Sequence, residues 1–118
     1  MTSWYIAHVI TRIEFIEGEQ EPVPVWEDCI LVRASTHDEA RARAEAHGKA
    51  NAAVKDLSMT WEGRRARMQY VGVRKIIKID EETLGDGIEV TYSQYLVPSL
   101  GQLRSLAAGG AVSLRYEE

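Results

Sequence analysis

The stretch from Ser3 to Ile16 constrains the fold more than any other, because its side chains alternate with a period of two that suits a strand and not a helix. Tyr5, Ala7, Val9, Thr11, Ile13 and Phe15 share one face, and Trp4, Ile6, His8, Ile10, Arg12 and Glu14 share the other. Both faces are apolar as far as Ile10, and afterwards only one is. The pattern predicts a strand covered on both sides in its early half and wet on one side later. Such a strand needs ladder partners. Val25 to Ala34 supplies one after the turn at Glu17-Gly18-Glu19 and the extended Pro22-Val23-Pro24, and the short connection predicts antiparallel pairing. Arg64 to Ile79 supplies a third strand after a turn at Glu62-Gly63, with Val71, Val73, Ile77 and Ile79 on one face. Gly72 within it marks a bulge or a close backbone approach. A fourth strand is expected from Ile88 to Val97, with Ile88, Val90 and Tyr92 on one side, ended by Pro98.

Two helices carry their own start signals. Thr36-His37-Asp38-Glu39 is a capping box, in which the Thr36 hydroxyl accepts from the Glu39 amide and the Glu39 carboxylate reaches back. The alanines that follow, from Ala40 to Ala53, favour a helix to about Val54 with little apolar bulk, so it can lie close to a sheet. Gly48 either breaks this helix or is tolerated at about 1 kcal/mol relative to alanine. Ser99-x-x-Gln102 is a second capping box, leading into Leu100, Leu103 and Leu106 at helical spacing. Gly109-Gly110 ends that helix, and Ala111 to Tyr116 can form a last strand. The order β-β-α-β-β-α-β predicts an α+β fold: a mainly antiparallel sheet, an alanine-rich helix on one face and a C-terminal helix–strand extension.

With 118 residues, 45% hydrophobic and 27% charged, the chain suits one folded domain with a real core. No apolar run reaches the roughly 20 residues of a membrane-spanning helix, and no secretory signal opens the chain. The expectation is a soluble, cytoplasmic protein with no membrane association. A single cysteine, Cys29, excludes an internal disulfide framework and a cysteine-built zinc site.

Several residues in order carry a family resemblance. They are Trp4-Tyr5-x-Ala7, Trp26-Glu27, Ala34 leading into Glu39-Ala40-x-x-x-Ala44, Tyr70-Val71-Gly72-Val73 and Gly85-Asp86-Gly87-x-Glu89-Val90. Together they resemble the small bacterial family known as domain of unknown function 4288, over roughly residues 3–96. Tyr70 stands where the family pattern has a tryptophan, and a tail over 97–118 runs past the family's usual end. The resemblance implies a bacterial source and a small α+β fold, and it brings no activity with it.

The residues themselves favour no catalysis. Cys29 follows Glu27 and Asp28, whose charges oppose the low pKa that a nucleophilic thiol needs, and its strand setting favours a buried structural role. His37 and His47 point about 80° apart on their helix and lie too far apart along it to share a metal. No catalytic residue, metal site or cofactor is expected. Charge is segregated: Glu14 to Asp28 holds six acidic and no basic residues, whereas Arg64 to Lys78 holds six basic and no acidic ones. Neighbouring strands would turn this into cross-strand pairs. The competing reading is a bipolar surface that docks a charged partner or a second copy. Nucleic acid is disfavoured by the net charge of −4.

The leading functional expectation is a non-enzymatic protein-interaction module, self-association included. Its contact residues would be Leu100, Leu103 and Leu106 of the tail helix and Arg64, Arg65 and Arg67 of the basic strand. The alternative is a small-ligand or enzymatic domain with a pocket between helix and sheet around His8, Trp26 and Glu27.

Overall fold

A computed structural model describes residues 1–56, 59–79 and 85–116. Its elements are β1 (Ser3–Phe15), β2 (Val25–Ala34), α1 (His37–Lys55), β3 (Thr60–Trp61), β4 (Arg64–Ile79), β5 (Tyr95–Leu96), α2 (Leu100–Ala107) and β6 (Arg115–Tyr116). They fall into two compact units, residues 1–88 and 89–118.

The first unit is a four-stranded antiparallel sheet in the order β2-β1-β4-β3 with α1 on one face, an α+β arrangement. β1 is the inner strand with two long ladders, and its burial follows from that. Tyr5 to Val9 are all buried, after which buried Thr11, Ile13 and Phe15 alternate with half-buried Ile10, Arg12 and Glu14. β1 and β2 pair without interruption from Ser3↔Ala34 to Arg12↔Val25. The β1–β4 ladder slips twice, between His8 and Val9 and between Ile10 and Thr11, so Gly72 sits beside a bulge. The two slips carry Ala66, Met68, Tyr70, Val73 and Ile76 onto the helix side, which strict alternation cannot do.

The α1 start is as its sequence dictates: Thr36 Oγ1 accepts from the Glu39 amide at 3.1 Å. The Glu39 carboxylate accepts from the Ser35 amide at 3.0 Å, one residue earlier than a strict capping box. The helix runs unbroken through Gly48 and buries Ala40, Ala44, Gly48 and Ala52, one small residue per turn. This stripe lets α1 lie low over β1 and β4. The core is a line of three clusters beneath it, centred on Ile13 and Met68, on Val9 and Val32, and on Tyr5 and Ala34.

Glu62 and Gly63 both take positive φ, 49° and 79°, and close a hairpin that pairs the short β3 with the start of β4.

The fourth strand is a correction. In place of an extended Ile88–Val97, only Tyr95–Leu96 is a strand, and it pairs with Arg115–Tyr116 in a separate two-stranded ladder of the second unit. The expected last strand over Ala111–Tyr116 shrinks likewise to two residues. Three alternating apolar side chains do not hold a strand without a ladder, and both sides of β1 are already taken. Val90 and Tyr92 are exposed instead. In the same unit α2 is capped by Ser99, whose hydroxyl accepts from the Gln102 amide at 3.2 Å.

Candidate functional site

The face of the sheet opposite α1 carries a polar cluster built by strand alternation. His8 on β1 and Glu27 and Cys29 on β2 all point away from the helix, and the uninterrupted register sets His8 beside Cys29 and Ile10 beside Glu27. His8 Nδ1 lies 2.7 Å from Glu27 Oε2. Arg74 Nη1 approaches the same oxygen at 3.4 Å from the bulged part of β4. His8 is buried, and Glu27 and Arg74 are half-buried.

Cys29 completes a thiol–imidazole–carboxylate set in composition but not in geometry. Its Sγ is 3.5 Å from His8 Nδ1 and 3.9 Å from Nε2, so thiol and carboxylate meet the same ring nitrogen. A relay needs them on opposite nitrogens, one to take the proton and one to orient the ring. The thiol is also biased toward its protonated form. Partial burial and then the Glu27 carboxylate push its pKa up, Asp28 adds to this, and Lys75 pulls the other way. Cys29 is nonetheless exposed, a correction to the buried role its strand suggested, because β2 is the outermost strand and its odd-numbered side chains leave the core.

The other residues singled out in the sequence disperse. Trp26 is adjacent to Glu27 and so points the opposite way, toward α1, where its ring meets Trp61 edge-on at 6.2 Å. Among the described residues His8 and Glu27 therefore lie on the other face of the sheet from Trp26, and the helix–sheet interface holds the core clusters. Arg64 is committed to the β1–β2 loop: its Nη2 donates to the Glu17 and Glu19 carbonyls at 2.7 and 2.9 Å, and its guanidinium stacks on Phe15 at 3.6 Å. Arg64 and Arg65 border a cavity of about 320 Å³ with Ile16 and Glu17. Arg67 pairs with Glu14 at 3.8 Å across the β1–β4 ladder, the cross-strand use that charge segregation predicts. On α2, Leu100 and Leu103 are exposed and Leu106 is half-buried. Among the described residues no group of three or more His, Cys, Asp or Glu side chains is placed to hold a metal ion, and no helix is long and apolar enough to cross a membrane. The acidic residues Asp80, Glu81 and Glu82 lie outside the described residues.

What the sequence reading missed is the state of the two sheet edges. The Ile13 amide donates to the Pro24 carbonyl at 3.0 Å, so even-numbered residues of β2 face β1 with their backbone groups. Those of Val25, Glu27, Cys29, Leu31 and Arg33 point outward, where no strand lies among the described residues. β2 contains no proline, lysine or bulge, and Val25 and Leu31 are 53% and 60% exposed. The β4 edge is covered at several points. β3 covers its start, and the Ala66 amide donates to the Met59 carbonyl. Further along, the Met68 amide donates to Asp56 Oδ1 at 2.6 Å and Arg41 donates to the Val73 carbonyl. The later part of the strand carries the two bulges and the basic side chains of Arg74, Lys75 and Lys78. An alternating apolar run betrays a strand, but only strand order reveals which strand ends the sheet.

The model of the family described as domain of unknown function (DUF4288) matches residues 4–92, most of the chain. No curated protein and no solved structure matches it.

Proposed function

The chain belongs to the DUF4288 family, and from that premise we propose that it is a non-enzymatic protein-interaction module that docks an extended partner segment along the free edge of β2. The observation that supports this reading is the asymmetry of the two edges, one capped in part and charged, the other a bulge-free strand whose outward amides and carbonyls meet no strand among the described residues, flanked by Val25, Cys29 and Leu31. An open edge of this kind binds by strand addition, with backbone bonds supplying affinity and alternate side chains supplying selectivity. The His8–Glu27–Arg74 cluster then acts as a brace that holds β2, β1 and β4 together behind the docking edge.

Amide hydrogen exchange on dilute, monomeric protein tests the premise directly. The amides of Glu27, Cys29, Leu31 and Arg33 should exchange far faster than those of Trp26, Asp28, Ile30 and Val32, which face β1. Equal protection of the two sets in the monomer would mean that the edge is already occupied and would end this reading.

A further inference from the structure

The occupant of the β2 edge can be named from the strand's own sequence. Resting on the edge-docking reading, we infer that the partner is a second copy of this chain, paired β2 to β2 in antiparallel register about a two-fold axis at Ile30. Three constraints lead there. The outward groups belong to odd-numbered residues, so odd must face odd, and the residue numbers of opposed pairs must sum to an even value. A sum of 58 or 60 overlaps nearly the whole strand. At 58, Glu27 faces Leu31 and Arg33 faces Val25, so every charge meets an apolar side chain. At 60, Glu27 faces Arg33 twice by symmetry, Cys29 faces Leu31 twice, and Ile30 meets its own copy. A sum of 56 would set Asp28 against Asp28.

The monomer is arranged for the pairing at 60. Arg33 is held on the outer face by its Nε bond to Thr2 Oγ1 at 3.1 Å and by stacking on Trp4 at 5.4 Å. The two contacts of Glu27 both fall on Oε2, which leaves Oε1 for a cation across the edge. Because Arg74 shares that carboxylate, each cross-edge pair adds modestly, and the backbone ladder and the Cys29–Leu31 contacts supply the remainder. The product is a continuous eight-stranded sheet in which each β4 edge stays capped, so association closes at two copies.

Light scattering across a concentration series, combined with oxidative cross-linking of Leu31→Cys, tests this inference. The wild-type chain should be dimeric at high concentration and form no covalent dimer, because the two Cys29 side chains lie diagonally in this register. Leu31→Cys should form a covalent dimer through Cys29 of one copy and the new thiol of the other, reversed by dithiothreitol. The two thiols within one chain are too far apart along an extended strand to bond. Arg33→Glu should weaken the dimer roughly tenfold by opposing like charges twice. A wild-type disulfide dimer through Cys29 would overturn the register. A chain that stays monomeric at every concentration while its odd-numbered amides exchange freely would overturn self-pairing and leave edge docking standing. Protection of those amides in the monomer would remove both.

Discussion

Replacing Gly48 by alanine should weaken this protein, against the ordinary rule for helices. At an exposed helical position that change stabilises by about 1 kcal/mol. At Gly48 an added methyl would stand 2.8 Å from Tyr70 Cε1 and 2.9 Å from Val9 Cγ1. Carbon atoms in contact prefer about 3.5 Å or more, so α1 and the sheet must part by about 0.7 Å or the ring must turn. Val9 is 2% exposed and β-branched, so it has no free space to move into. Overpacking of this kind costs about 1–3 kcal/mol, and subtracting the helix gain leaves a net loss of up to about 2 kcal/mol. Urea unfolding followed by circular dichroism reads this as a lower midpoint at unchanged slope. Ala46→Gly on the exposed side of α1 calibrates the propensity, with an expected loss of about 1 kcal/mol. In a Tyr70→Ala background the loss on Gly48→Ala should shrink, because only the Val9 contact then remains. A rise in the midpoint on Gly48→Ala in the wild-type background would refute the argument that close approach, not helix propensity, sets the residue at this position.

Two further outcomes follow from single groups. Thr11 is buried, and its hydroxyl has no partner among the described residues, so Thr11→Val should stabilise by about 1 kcal/mol, read as a higher urea midpoint. Because burial and then Glu27 hold the Cys29 thiol protonated, alkylation by iodoacetamide near neutral pH should be slower than for a free thiol and should speed up as pH rises; Glu27→Gln should accelerate it, and equal rates in both proteins would count against the Glu27 contribution.

Much of the first unit was legible in the residues because its signals are local. Alternation over Ser3–Phe15, the β-branched centre of β2, and the Thr36–Glu39 cap each act within a few residues, and the structure reproduces them almost to the residue. Ile88–Val97 had the same alternation in weaker form and yet formed only Tyr95–Leu96. A strand exists only where a ladder receives it, and ladders are set by distant segments. The grouping of His8, Glu27 and Arg74 shows both sides of this. The first two meet because strand parity places them on one face, whereas Arg74 reaches them only where the β1–β4 ladder slips by a residue; Gly72 marks an irregularity nearby, but not which side chain it delivers.

The amino-acid order alone determined that Ser3–Phe15, Val25–Ala34 and Arg64–Ile79 are extended, where α1 begins, and that its buried stripe would be small. Those are consequences of neighbouring residues, whose spacing along the chain is their spacing in space. Only the tertiary structure decided that Trp26 and His8 lie on opposite sides of one sheet, that Cys29 sits outside the core, and that β2 ends the sheet among the described residues. Strand order is chosen by the burial available to the whole chain, so the edge on which the functional reading rests becomes visible only once every strand has found its place.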